Sequence, residues 1–228
     1  MEVNVIMPML GGGTRMQGIQ NTCKPLMRLK NGELFFIRAL KSLVNYKINR
    51  LVLVVLEEYS KDFYNIAQKV VDQFGCKRLD VVSHTPTNTP VETFCIGLEQ
   101  LQDENLPIVS LDCDIYAELP EFKDYKHAGV FYFVDNNPNK SFIKTHCGYV
   151  TDIAEKVSIS NMAVFGAYMF DDVDFLHRVL KNRRLMNYMS DVVRDIIFDA
   201  GLVKARPLEK VYNYGTLKEL QQYESETL

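Results

Sequence analysis

Cysteine is sparse and unpatterned in this chain of 228 residues. The five present (Cys23, Cys76, Cys95, Cys113 and Cys147) are odd in number and form no Cys-x-x-Cys pair, so neither a disulfide framework nor a zinc knuckle is indicated. That usage predicts a reducing, cytoplasmic setting. An excess of charge is missing too: 26 Lys and Arg against 29 Asp and Glu give a net charge of −3, which offers no general attraction to nucleic acid or an anionic membrane. No apolar stretch approaches the ~20 residues of a membrane helix, and the N-terminus enters a strand without a charged leader and long apolar run. We therefore expect neither secretion by signal peptide nor membrane insertion. The four histidines (His84, His127, His146 and His177) fall in no catalytic or ligating pattern and read as structural. Internal repeats, low-complexity tracts and linkers do not interrupt the chain, which reads as one domain with a large core.

What the chain does contain is concentrated near its start. Val3 to Met9 is a short apolar run suited to a buried strand. Gly11, Gly12 and Gly13 follow, a turn without Cβ atoms in which several N–H groups can converge on an anion. Arg15 and Lys24 add two cations just beyond it, one a planar fork for phosphate oxygens and the other a point charge. Two common phosphate loops are excluded by inspection. A Walker A loop closes on Gly-Lys-Ser/Thr, whereas Gly18 is followed here by Ile19 and Gln20. The dinucleotide fingerprint needs a third glycine where this chain has Met16.

Downstream, helical spacing over Leu34 to Tyr46 predicts a helix, and the unbroken run Leu51 to Leu56 predicts a strand buried on both faces. Tyr59 to Phe74 reads as a second helix, Asp80 to Ser83 as a third strand, Val91 to Leu101 as a helix and Leu106 to Leu111 as a fourth strand. This alternation predicts an α/β fold, a mostly parallel, doubly wound sheet flanked by helices. The fourth strand ends in Asp112-Cys113-Asp114, at the end of a parallel strand where such sheets bind ligands. A further strand is expected at Gly129 to Val134, followed by a polar turn, Asp135 to Lys140, and a later apolar run spans Ala163 to Phe170. Helices are expected at Val173 to Leu185 and, capped by Ser190-Asp191 and closed by Gly201, at Val192 to Ala200. The basic face of the first of these (Arg178, Lys181, Arg183, Arg184) suits an acceptor-phosphate patch, a homodimer contact or a solvated helix end.

Gly11-Gly12-Gly13-Thr14-Arg15 with Lys24-Pro25-Leu26 resembles the opening signature of the sugar-phosphate nucleotidylyltransferases, which have a Rossmann-like, glycosyltransferase-A-like fold. The resemblance extends from Val3 to about Tyr223. It implies a nucleotide-binding part over about 1–120 and an acceptor-binding part over about 121–228. It also implies that Leu10, Gly11, Gly12, Gly13, Thr14, Thr89 and Asp112 bind the nucleoside triphosphate, Arg15 holds its β and γ phosphates, and Lys24 neutralises charge at the α-phosphorus. Asp114 would carry Mg²⁺, and Glu155, Lys156, Asn161 and Gly166 would receive the phosphorylated acceptor. The chain departs from the family pattern twice. Thr89-Pro90 stands where relatives usually show a glycine, and Asn213 in Tyr212-Asn213-Tyr214-Gly215-Thr216 stands where a second metal-binding carboxylate is expected. An amide oxygen can ligate Mg²⁺ but brings no charge.

The activity so implied is transfer of a nucleotidyl group to a phosphorylated acceptor with release of pyrophosphate. Glu155-Lys156 favours a sugar 1-phosphate for surface-glycan or capsule synthesis, and the short chain equally suits a cytidylyltransferase for a small phosphorylated alcohol or amine. Asp112-Cys113-Asp114 also matches the Asp-x-Asp of glycosyltransferases, although the cationic loop argues against a diphosphate donor. A non-catalytic nucleotide-binding relative is the remaining alternative, motivated by Asn213 and Thr89-Pro90.

Overall fold

The computed structural model describes all residues except 12, 14, 15, 17, 18, 21, 103, 124, 182–185, 227 and 228. The chain opens on β1 (Glu2–Met9), and a single 3₁₀ turn, Lys24–Leu26, precedes α1 (Phe35–Leu40). The elements β2 (Lys47–Leu56), α2 (Ser60–Phe74), β3 (Arg78–His84), α3 (Pro90–Leu98) and β4 (Ile108–Leu111) follow. After the two-residue β5 (Ile115–Tyr116) come β6 (Ala128–Val134), β7 (Ser141–His146), β8 (Tyr149–Glu155) and β9 (Met162–Phe170). The chain ends with α4 (Val173–Lys181), α5 (Met189–Phe198), β10 (Val203–Pro207), β11 (Tyr212–Asn213) and α6 (Leu217–Glu226).

One nine-stranded sheet in the order β3-β2-β1-β4-β9-β6-β10-β8-β7 organises these elements. Pairings β3–β2, β2–β1, β1–β4 and β6–β10 are parallel, and those made by β8 and β9 are antiparallel. Only β8 and β9 therefore run against the common direction. Strands β1, β2 and β3 wind outward with α1 and α2 on one face, where Phe36, Leu40, Phe63 and Val70 meet Val5, Met7, Leu51 and Leu53. The chain then returns over the other face through α3, whose Phe94 and Leu98 meet Ile6 and Val52, and enters β4 on the far side of β1. Ligands of open α/β sheets bind at the carboxyl ends of strands that flank such a reversal. Here those are the ends of β1 and β4, which deliver the glycine loop and Asp112-Cys113-Asp114.

The strand boundaries follow burial. The run from Leu51 to Val55 is wholly buried because helices cover both faces of the sheet there. The helix expected to reach Tyr46 stops at Leu40 and tightens into a 3₁₀ turn, Lys41–Leu43. The reason is long-range: the Ser42 carbonyl accepts from Leu119 N at 3.0 Å and its hydroxyl from Ala117 N at 3.2 Å, so the segment leaving β5 takes acceptors at this point. The α5 cap also differs from expectation. Tyr188 is the N-cap, Asp191 lies one turn in and accepts from Tyr188 N at 2.9 Å, and Ala200 rather than Gly201 adopts the left-handed φ of 60°.

A smaller third cluster closes the site from the C-terminal side. Strand β11 pairs with β5, and Tyr214, fully buried, donates to the carbonyls of Phe35 or Ile115, each at 3.2 Å. Leu220 and Tyr223 of α6 pack on Tyr214, Met27 and Leu29. This fixes the last helix as one wall of the cleft described below. Among the described residues, no helix is long and apolar enough to cross a membrane.

Candidate active site

Lys24 and Asp114 are 90 residues apart in sequence and form an ion pair, with side chains 13% and 21% exposed. Each is placed by rigid elements. Cys23 precedes the 3₁₀ turn in extended conformation, Pro25 fixes the backbone at its second position, and Pro25 and Leu26 are buried. Gly13 has φ +57°, and a Cβ on it would lie 3.1 Å from Lys24 Cβ, so Gly13 packs directly on the lysine stem. On the other side, Tyr214 N donates to Asp114 O at 3.0 Å, which brings Gly215 beneath the pair. A Cβ at Gly215 would collide with Asp114 Oδ2 and reach 3.3 Å from Lys24 Nζ. A matching contact serves Asp112. Its N–H donates to Gly166 O at 2.8 Å, and a Cβ at Gly166 would overlap its carboxylate. Gly166 and Gly215 are thus small because two carboxylates lie against them.

Both aspartates open into a cleft of about 1460 Å³ that runs from the end of β4 to the β7–β8 edge and is roofed by α6. Along it lie Gly166, Glu155, Lys156 and Asn213, so the structure brings most of the expected acceptor and metal residues to one cavity with Asp112 and Asp114. Glu155 is oriented by two hydroxyls that sequence reading missed: Ser141 and Ser190 both donate to its Oε2, Ser190 at 2.8 Å. Lys156 has φ +53° and donates to the Tyr188 hydroxyl at 2.8 Å, its ammonium 4.4 Å from the centre of that ring. Beneath, the Tyr168 hydroxyl is held well above the usual phenol range by burial and by the Asp112 charge, so it stays protonated. Burial likewise raises the Cys113 thiol, reinforced by the Asp114 charge. A neutral thiol between two carboxylates is a poor nucleophile.

Other expected residues stand elsewhere. Leu10 is buried in the core, leaving its backbone as the part that can reach a ligand. Asn161 is exposed and off the cleft lining; its carbonyl accepts from Asp135 N at 3.1 Å and ties β9 to β6. Arg15, Gly12 and Thr14 lie outside the described residues. The Thr89 hydroxyl caps α3, accepting from Glu92 N at 3.1 Å, with Pro90 at the first helical position. Thr89→Ala should therefore lower stability by about 1 kcal/mol in urea denaturation, and Thr89→Ser should recover most of it.

A hard cation is usually held by one or two carboxylates together with substrate phosphate oxygens. Asp114, with Asp112 nearby, fits that pattern. Asn213 lines the same cleft, and its Oδ1 accepts from Lys140 Nζ at 3.1 Å. Among the described residues, no group of three or more His, Cys, Asp or Glu could hold a metal ion by itself.

No protein-family model matches the chain, and no curated protein matches it by sequence. Solved structures do match over nearly the full length. A nucleoside-diphosphate-sugar pyrophosphorylase from Vibrio cholerae RC9 superposes with a TM-score of 0.80 at 20% identity, covering 97% of this chain and 99% of that one. The inositol-1-phosphate CTP transferase of T. maritima gives 0.77 at 15% identity, over 100% and 98%. A UDP-glucose pyrophosphorylase in complex with UDP-glucose gives 0.78 at 15% identity, over 99% and 98%. This chain shares the fold of those structures, a glycosyltransferase-A-like α/β fold. In that fold the Lys24–Asp114 pair sits at the reversal of the sheet and the Glu155–Lys156 end of the cleft lies on its antiparallel half.

Proposed function

We propose that the protein is a nucleotidylyltransferase that joins a nucleoside triphosphate to a phosphorylated acceptor, a sugar 1-phosphate, and releases pyrophosphate. The product would be a nucleotide-activated precursor for surface-glycan or capsule synthesis, made in the cytoplasm. The observation that carries this reading is the Lys24–Asp114 pair, with Gly13 packed on the lysine stem, at a cleft that continues to Glu155 and Lys156.

The acceptor phosphate is ionised at neutral pH, so attack on the α-phosphorus needs no general base. That agrees with a site in which, among the described residues, no histidine lines the cleft. What the protein must supply is alignment and positive charge on the pentacoordinate transition state. Lys24 provides a fixed ammonium there, held in place by Asp114. The glycine-loop amides, and Arg15 by its position in the signature, hold the β and γ phosphates that depart. Mg²⁺, carried by the triphosphate with Asp114 as its protein carboxylate, would add countercharge to the phosphoryl oxygens when bound. Glu155, oriented by Ser141 and Ser190, accepts from acceptor hydroxyls, and Lys156 pairs with the acceptor phosphate.

Pyrophosphate release from the four common triphosphates, each paired with a panel of sugar 1-phosphates and small phosphorylated alcohols and amines, tests the reading. One pair should turn over, with a nucleoside diphosphate-linked product detectable by mass. Absence of release from every pair, or sugar transfer from a nucleotide sugar without pyrophosphate, would overturn it.

A further inference from the structure

Lys140 was not singled out by sequence, because it closes the polar turn Asp135 to Lys140 and has no motif around it. In the structure its side chain is only 16% exposed and lines the same cleft as Asp114. Its ammonium donates to Asn213 Oδ1 at 3.1 Å, while the carboxylates of Asp135 and Glu219 stand at 3.9 and 3.8 Å, beyond hydrogen-bond reach. The Phe133 ring lies 5.5 Å away and covers it on another side. An ammonium has three donors, so this one is placed by Asn213 and by charge, with donors left for a ligand.

Its surroundings say where that ligand lies. Asn213 pairs with Ile115, the residue after Asp114, and Ser141, the residue after Lys140, donates to Glu155. Lys140 thus lines one cleft with Asp114, which pairs with Lys24, and with Glu155. A carboxylate at position 213 would instead pair with Lys140 or bind a divalent ion. The neutral amide leaves the ammonium to act on phosphate.

We propose that Lys140, positioned by Asn213, is a resident cation for the acceptor phosphate and occupies the role that a second carboxylate with its divalent ion would otherwise fill. The inference rests on the nucleotidylyl-transfer reading for its ligand, and on the donor chemistry of the free cleft for its effect on metal binding. The free protein then holds no divalent ion of its own.

Two measurements test it. Mn²⁺ titration followed by electron paramagnetic resonance, on the full chain without substrates, should show binding at least about tenfold tighter in a Lys140→Met, Asn213→Asp double variant than in the wild type. Steady-state kinetics of Lys140→Met should show the acceptor KM raised about tenfold with the triphosphate KM little changed, and Lys140→Arg should recover part of the loss. Thermal melts establish that each variant folds, and Asn213→Ala serves as a second kinetic variant that loosens Lys140 without removing it. Wild-type Mn²⁺ affinity equal to that of the double variant, or an acceptor KM unmoved by Lys140→Met, would overturn the proposal. If no substrate pair turns over, the proposed activity fails, and the Mn²⁺ comparison still decides the metal-site half on its own.

Discussion

Lys24→Ala should reduce turnover by about 100- to 1,000-fold, with the KM values for both substrates changed far less. The size follows from removing one preorganised positive group at the place where charge develops, a change that typically costs two to three powers of ten. The asymmetry follows from when the charge is needed. Oxygens on the α-phosphorus gain negative character as the acceptor approaches, so an interaction strongest there appears in kcat rather than in binding. Asp114 holds the lysine at this position, and Gly13 and Gly215 pack against the pair from two sides. Lys24→Arg should not restore the rate, because a planar fork does not match the space of a compact ammonium held beside Gly215 and Asp114. Pyrophosphate release under saturating substrates measures the effect, and wild-type turnover in Lys24→Ala would remove Lys24 from the reaction.

The N-terminal half of the fold could be read from residues alone because β1, β2 and β4 are largely buried between helices. An unbroken run such as Leu51 to Leu56 is what such burial produces, and the reversal after β3 follows from the same alternation of runs and amphipathic segments. The second half was harder for a physical reason. Strand β10 is five residues with Lys204 and Arg206 among them, and β5 and β11 are two residues each, too short for any period to register. The glycine loop, Lys24 and the two aspartates could be found because they cluster in short stretches of sequence. Lys140 on Asn213 and Ser190 on Glu155 could not, since each depends on which distant segment arrives beside it. Gly166 shows the two levels meeting: the sequence marks a glycine inside a strand, and only the fold reveals that the Asp112 carboxylate occupies the space of a side chain.

Gly215→Ala should damage catalysis about as much as losing a positioning group outright, by about 100-fold, while leaving the protein folded. The new methyl would overlap Asp114 Oδ2 and crowd Lys24 Nζ, so at least one of the pair must shift by a substantial fraction of an ångström. Neither can move freely. Lys24 is anchored by a buried Pro25-Leu26 turn beneath Gly13, and Asp114 is tied through its carbonyl to Tyr214 N, whose own ring is locked in the core. A displacement near 1 Å at a reacting centre can cost about two powers of ten in rate, because the alignment of nucleophile, phosphorus and countercharge is lost together. Stability should fall only modestly, since both charged side chains retain some exposure to water and can relax toward the cleft. Circular dichroism melts beside pyrophosphate-release kinetics separate the two effects. A variant that melts near the wild type but turns over poorly supports the packed pair as the working part of the site. One that keeps full activity would mean that the close approach of Gly215 to Asp114 and Lys24 has no part in the chemistry.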